Sequence, residues 1–275
     1  MNLTQALALA ADHGLERLDA QLLLLQALGR SPQDRAWLLA HDTDLLEPAA
    51  QQAFEQLCLR RAGGEPLAYI AGHKEFFGLQ LQVDERVLVP RPDTETLVEW
   101  ALDVLQGRAA PRAIDLGTGS GAIALALLHA RPDAVVEAID QSADALAVAA
   151  LNAKALGLDV ALRQACWLEG AAGRYDLIAS NPPYVRQDDP HLAALVHEPL
   201  SALAAGADGL DDIRAIVAQA PARLKTGGWL LLEHGWDQAS AVRALLETAG
   251  FTQVQSRRDL AGIERCSGGV RLELG

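Results

Sequence analysis

Aromatic side chains are scarce, with Phe, Trp and Tyr making up 4% of 275 residues. A core must then be filled by Leu, Ala, Val and Ile, and half of all residues are hydrophobic, so it can be. Cysteine is almost missing. Cys58, Cys166 and Cys266 lie far apart with no CxxC pair, which argues against a disulfide framework and a zinc cluster. Reduced thiols and no bound metal are expected. Positive charge is short as well, with three lysines and a formal net charge of −13. Proteins that hold nucleic acid stably neutralise phosphates with basic patches. The balance therefore favours a protein or small-molecule substrate. No basic region followed by a long apolar stretch opens the chain, and the apolar run Leu22–Leu25 is far short of a membrane span. A soluble, cytoplasmic chain is expected, without membrane attachment.

What is present falls into two styles of sequence. Up to Gly63-Gly64 every signal is helical. Leu3, Leu7 and Ala10 share a face ending at Gly14, and Leu18, Leu22 and Leu25 continue the period to Gly29. Ser31-Pro32 reads as an N-cap followed by proline at the first helical position, with Trp37 and Leu38 behind it. A further helix is expected over Pro48–Arg61, with Phe54, Leu57 and Cys58 on its apolar side. This predicts a small all-α bundle over residues 1–64, mildly acidic, with eight acidic and five basic side chains in 1–62. Residues 65–90 read as a linker carrying a β-hairpin, in which Phe76, Phe77, Leu79, Leu81 and Val83 turn near Gly78. Asp93 or Thr94 can then cap a helix bearing Leu97, Val98, Trp100, Ala101 and Leu105.

From Arg112 strands and helices alternate. The strands expected are Ala113–Leu116, Val135–Ile139, Val160–Arg163, Tyr175–Ser180, Trp229–Glu233, Thr252–Ser256 and Val270–Leu274, with helices between the first five. That pattern predicts a doubly wound α/β domain over 91–275, with a seven-stranded, mostly parallel sheet and an antiparallel final pair.

The first strand runs into Asp115-Leu116-Gly117-Thr118-Gly119-Ser120-Gly121, where a helix opens. Glycines let a backbone turn tightly against a ligand, and the helix start offers free N–H groups. Asp140 ends the second strand nineteen residues after Gly121, where a carboxylate can accept from both hydroxyls of a ribose. Asp115 can fix the loop or meet the far end of a nucleoside cofactor. Alone, this loop fits a nicotinamide-dependent oxidoreductase as well as a methyltransferase, because Gly117, Gly119 and Ala122 satisfy G-x-G-x-x-A.

Asn181-Pro182-Pro183-Tyr184 separates the two readings. It begins where the fourth strand ends, facing the crevice at which open α/β sheets bind ligands. An amide NH₂ is a poor nucleophile because its lone pair is delocalised. The Asn181 side-chain oxygen and the Pro182 carbonyl can each accept one of its hydrogens, aiming the nitrogen at a sulfonium methyl. The prolines stiffen the loop and donate nothing. Tyr184 supplies a flat face for a planar group. No general base is needed, because methylation makes the remaining proton acidic. His129, His191, His197 and His234 are accordingly read as structural or solvent-facing.

The chain resembles the HemK/PrmC family, N5-glutamine methyltransferases of bacterial peptide chain release factors. The likeness rests on PRPDTE (Pro90–Glu95), DLGTGSGAIALAL (Asp115–Leu127), SNPPYV (Ser180–Val185), EPLSALAAGADGLDDIR (Glu198–Arg214), LLLEHGWDQ (Leu230–Gln238) and DLAGIERCSGG (Asp259–Gly269). It implies a Rossmann-like class I methyltransferase with a helical substrate-recognition domain. S-Adenosyl-L-methionine would be the methyl donor and S-adenosyl-L-homocysteine the product. Release factors would be the protein partner of a monomeric enzyme. Donor contacts would fall on Asp115, Gly117, Thr118, Gly119, Ser120, Gly121, Asp140, Trp167 and Asn181. The substrate glutamine would meet Asn181, Pro182, Pro183 and Tyr184, with Asn181, Pro182 and Tyr184 catalytic. Relatives often carry an acidic residue before this Trp, whereas here it is Cys166, a weak acceptor. The resemblance also places Arg91 and Thr94 near the site, where Arg91 can meet an acidic group of the substrate or form an ordinary surface salt bridge. Glu198, Glu233-His234 and Arg214 read as scaffold. Two other substrates fit the tetrapeptide: a ribosomal-protein glutamine, and the amino group of a nucleic-acid base.

Overall fold

The computed structural model describes residues 1–272. Two compact units divide it, Met1–His73 and the chain from Lys74 onward.

In the first unit, helices α1 (Leu3–Asp12), α2 (Arg17–Ala27), α3 (Arg35–Ala40), α4 (Pro48–Ala62) and α5 (Leu67–Ala71) surround one core. Asn2 starts α1 by a reciprocal cap: its Oδ1 accepts from Gln5 N at 2.8 Å, and Gln5 Oε1 accepts from Asn2 N at 2.9 Å. The apolar faces differ in detail from the sequence reading. Ala6 is buried beside Leu3 and Ala10, while Leu7 is half-buried. On α2 the buried face is Ala20, Leu23, Leu24 and Leu25, and Leu18 is exposed. Four consecutive leucines satisfy several helical phases, so periodicity alone could not choose the inward ones. Ser31-Pro32 does not cap a helix. The segment forms a turn in which Ser31 Oγ accepts from Gln33 N at 3.3 Å, and α3 starts only at Arg35.

In the second unit, β1 (His73–Phe76) and β2 (Leu79–Gln82) form a hairpin. Its turn residues Phe77 and Gly78 both have positive φ, 51° and 78°, the two-residue geometry that follows strand twist. The main sheet is built from β3 (Arg112–Leu116), β4 (Val135–Asp140), β5 (Ala161–Gln164), β6 (Tyr175–Ser180), β7 (Leu224–Glu233), β8 (Thr252–Arg258) and β9 (Glu264–Arg271). Their order is β5-β4-β3-β6-β7-β9-β8, parallel through β7 with β9 antiparallel to both neighbours. Alternate residues feed two cores. Ala113, Leu177, Ala179 and Leu231 face one side, and Ile114, Leu116, Ile178, Leu230 and Leu232 face the other. Helices α6 (Glu95–Val104) and α7 (Ala122–Ala130) cover the first side, and α9 (Asp211–Arg223) and α10 (Ala239–Thr248) the second. Helix α8 (Ala143–Leu156) joins β4 to β5.

Two expectations are corrected here. No helix joins β5 to β6. The connection is a turn-rich segment whose Leu168 and Ala171 plug the core directly. The last strand lies earlier than expected, at Glu264–Arg271, and the part of that reading on residues 273–274 falls outside the described residues. Gly268 and Gly269 hold it there. A Cβ on Gly268 would stand 2.5 Å from Leu231 Cδ2 and 2.6 Å from the Leu230 carbonyl, so only glycine passes this close to β7.

The topology fixes where chemistry can occur. The order reverses between β3 and β6, so their carboxyl ends open a crevice with no helix across it. The glycine loop leaves β3 on one lip and Asn181 leaves β6 on the other.

Candidate active site

Gly117, Gly119 and Gly121 all have positive φ, at 69°, 54° and 86°. The requirement is sharpest at Gly121, where a Cβ would also meet Leu125 Cδ1 at 2.9 Å. Asp115 lies beneath the loop, wholly buried. Its Oδ2 accepts from Thr118 Oγ1 at 2.6 Å and from Ala124 N at 3.3 Å, while Oδ1 has no partner. Burial pushes its pKa up to about 7 against those two hydrogen bonds. Asp115 therefore fastens the loop and the start of α7. On the lip above, Asp140 accepts from Gly119 N and from Ser142 N, both at 2.9 Å. Each of its oxygens keeps a second lone pair for a ligand. Asn152, fully buried on α8, donates to the Ser120 carbonyl at 2.9 Å and exchanges hydrogen bonds with the Gln82 backbone at 2.6 and 3.0 Å. It ties the hairpin to the glycine loop, a role no sequence pattern announced.

Trp167 closes the far side, in a left-handed conformation at φ 49°. Its ring lies 3.4 Å from where a Gly117 Cβ would stand. The cavity between is open to solvent. Gly117, Gly119, Asp140, Trp167, Asn181 and Pro183 line it. Val87, Leu88 and Ala145 add apolar wall, and Pro199, Ser201 and Ala202 a rim. Cys166 lines it too, and burial raises its thiol pKa. The remaining expected site residues stand behind this wall. Asp115, Thr118, Ser120 and Gly121 shape the loop, Pro182 is buried next to Asn181, and Tyr184 is half-buried as Asn181 is.

The amide loop is held from several directions. Asn181 Nδ2 donates to Thr94 Oγ1 at 3.2 Å. Thr94 follows a short 3-10 turn at Pro92–Thr94 and stands at the N-cap of α6, but its side chain makes no cap bond and turns to the site instead. The Tyr184 hydroxyl approaches Glu233 Oε1 at 3.5 Å. Glu233 is 1% exposed with Oε2 unpartnered. Burial pushes its pKa up to about 7, opposed by Thr94, Arg265 and Tyr184 and reinforced by Asp93. The Tyr184 hydroxyl is raised by burial and by Glu233.

Motifs that read only as scaffold acquire physical reasons. Gln238 Nε2 donates to the carbonyls of Tyr184, Asp208 and Gly209 at 3.0, 3.1 and 3.4 Å. Gly209, at φ 74°, lets the second loop press on the first, since a Cβ there would lie 2.2 Å from the Tyr184 carbonyl. Glu198, almost wholly buried, pairs with Arg91 at 2.5 Å and accepts from Val89 N at 3.1 Å. Arg91 is thus engaged in a salt bridge within the protein. His234 is buried between the Gly235 carbonyl and Ser267 Oγ, and burial lowers its pKa. Arg214 pairs with Asp208 and Asp211 at the surface.

The donor set fits an adenosine-bearing sulfonium compound. It offers a diol-accepting carboxylate, a glycine floor, an indole and aliphatic wall, and amide acceptors at one end.

Comparisons with known proteins agree with this geometry. The PrmC N-terminal domain family model matches residues 2–72, and the methyltransferase small domain model residues 94–256. A release factor glutamine methyltransferase of Bordetella pertussis is 56% identical over 95% of this chain and 97% of its own length. One from Xylella fastidiosa (strain Temecula1) is 50% identical over 96% of each. A methyltransferase from Pyrococcus furiosus shares the fold, with a TM-score of 0.53 over 72% of this chain and 91% of that one at 18% identity. Two family models cover the helical unit and most of the methyltransferase unit, relatives at such identity match nearly the whole chain, and the chain belongs to the release factor glutamine methyltransferase family.

Proposed function

We propose that this chain methylates the side-chain amide N5 of the glutamine in the Gly-Gly-Gln motif of peptide chain release factors. S-Adenosyl-L-methionine supplies the methyl on an electrophilic sulfonium and leaves as S-adenosyl-L-homocysteine. Asp140, with the loop Gly117–Gly121 and Trp167, holds the donor. The single observation that carries the reading is the hydrogen bond from Asn181 Nδ2 to Thr94 Oγ1, because it leaves Asn181 Oδ1 as the end free for the cavity. An acceptor there binds a substrate NH₂. The Pro182 carbonyl takes the second hydrogen, and the tertiary amide nitrogens of both prolines offer no competing donor. Held by two acceptors, the amide is oriented with its nitrogen toward the donor side, and proximity supplies most of the rate. Tyr184 stiffens the loop from behind through Glu233. No side chain need take the proton before transfer, and water accepts it afterwards.

The net charge of −13 and three lysines support a protein substrate over a nucleic acid. A cytoplasmic monomer without stable nucleic-acid binding belongs to the same proposal. No helix among the described residues is long and apolar enough to cross a membrane. The separate core of the first unit and its own family match support assigning residues 1–64 to recognition of the release factor. The test offers unmodified release factor, ribosomal proteins and RNA separately with labelled donor. Label on the Gly-Gly-Gln glutamine is the expected result. Label on RNA or on a ribosomal protein alone would overturn the substrate while keeping the donor site.

A further inference from the structure

Part of the cavity wall comes from chain outside the sheet. Arg86, Val87 and Leu88 belong to the strap between β2 and α6, and Pro199, Ser201 and Ala202 to the long connection from β6 to α9. Residues 83–91 form neither helix nor strand, and residues 181–210 are mostly turns with short 3-10 pieces. Neither stretch has a ladder or a long helix to hold it against a ligand. One carboxylate joins them. The Glu198 side chain is 2% exposed, and its Oε2 accepts from Val89 N at 3.1 Å while its Oε1 accepts from Arg91 Nη2 at 2.5 Å. Both donors lie on the strap, 109 and 107 positions away. Leu88 precedes Val89 and Pro199 follows Glu198, so these bonds sit one residue back from the cavity wall in each stretch.

We infer that Glu198 is a positioning residue for the methyl donor: its bonds to Arg91 and Val89 latch the strap to the β6–α9 connection, hold both closed on the donor, and set how fast the spent donor leaves. A carboxylate shut away from water is stable only while its partners stay in place. Parting the two stretches breaks two bonds to one carboxylate at once, one of them between opposite charges. Pro90 and Pro199 restrict the backbone beside the latch, so a shift at Glu198 or Val89 passes to the wall. Neither Glu198 nor Arg91 lines the cavity, and both act through the residues next to them. Arg91 therefore serves the donor rather than an acidic group of the substrate. The inference rests on the proposed place of the donor in this cavity.

The experiment follows release of S-adenosyl-L-homocysteine in stopped flow by tryptophan fluorescence, to which Trp167 in the cavity wall contributes, and hydrogen exchange at Val89 N–H in the protein without ligand. Melting temperature is recorded for each variant. Glu198→Gln is expected to release the product about 10–100-fold faster, the worth of a hydrogen bond to a charged group, and to speed exchange at Val89. Arg91→Met is expected to speed release on the same scale, and Arg91→Lys to restore most of the slow release. The double variant Glu198→Gln/Arg91→Met should release no faster than Glu198→Gln alone, since both residues belong to one latch, whereas two independent losses of packing would add. Arg91 is 40% exposed, so its variants give the answer even where a Glu198 variant does not fold. Release within about 2-fold of the wild type in Arg91→Met, or additive effects in the double variant, would overturn the latch alone. Unchanged affinity for S-adenosyl-L-homocysteine in Asp140→Ala would overturn the donor site on which it rests.

Discussion

Two loops face each other across the crevice, and each rests on a buried carboxylate with one unpartnered oxygen, Asp115 under the glycine loop and Glu233 under the amide loop. Burial pushes both to about 7. Their partners differ. Asp115 takes its hydrogen bonds from Thr118 and Ala124, within nine residues of itself. Glu233 takes the Tyr184 hydroxyl, 49 positions away. The first carboxylate is part of a local turn-to-helix device. The second joins the NPPY and LLLEHG segments. In the proposed function the loops above them are also opposite in kind: one would offer backbone N–H groups and a carboxylate to the methyl donor, the other acceptors to a substrate NH₂.

That contrast can be broken experimentally. Asn181→Ala removes an acceptor needed at the reacting nitrogen, and kcat on release factor is expected to fall about 10²–10³-fold, the scale of losing one preorganised hydrogen-bond partner. Asp140→Ala should act on the other side. Its carboxylate anchors Gly119 and Ser142, and donor Kd is expected to rise about 100-fold, with most of kcat kept at saturation. Calorimetry with steady-state rates separates the two, and an Asn181→Ala enzyme defective only in donor affinity would collapse the distinction. Gly209→Ala tests the support of the amide loop. The new Cβ would sit 2.2 Å from the Tyr184 carbonyl, so about 2 kcal/mol of stability and a comparable part of kcat should be lost, seen by denaturant unfolding and rate.

The smallest effect concerns Asp115. Its folded pKa of about 7 lies above the ordinary carboxylate value of 3.8. The stability it contributes is therefore full below about pH 4 and lost as pH rises through about 7, where the buried carboxyl must ionise. Asp115→Asn cannot ionise and escapes that loss. Its melting temperature minus that of the wild type should become more positive from about pH 5 to about pH 8, by an amount equivalent to a few kcal/mol at most. A difference that moves the other way would mean the ionised carboxylate is the form the glycine loop needs.

The same contrast explains what could be read in the sequence. The glycine loop, Asp140 and the strand–helix alternation are local patterns with one physical solution each, and the sheet follows them closely. The missing helix between β5 and β6 escaped because Trp167, Leu168 and Ala171 form an apolar run that suits a core plug as well as a helix. The early start of β9 escaped because Ser267, Gly268 and Gly269 look like a turn, and only the close approach to β7 shows why they are a strand. Thr94 read as a helix cap, placed near the site only by the resemblance, and Glu233 as scaffold, since nothing within a few residues of either reveals its partner, Asn181 for the one and Tyr184 for the other. Gln238 was hidden for the same reason, as it serves carbonyls in two other loops.

The most direct test of the central claim is a structure of the protein with S-adenosyl-L-homocysteine and a peptide bearing Gly-Gly-Gln. The glutamine amide nitrogen is predicted to lie within hydrogen-bond distance of Asn181 Oδ1 and the Pro182 carbonyl, with Asn181 Nδ2 still on Thr94. A glutamine bound with its carbonyl oxygen toward Asn181, or seated away from this loop, would contradict the account.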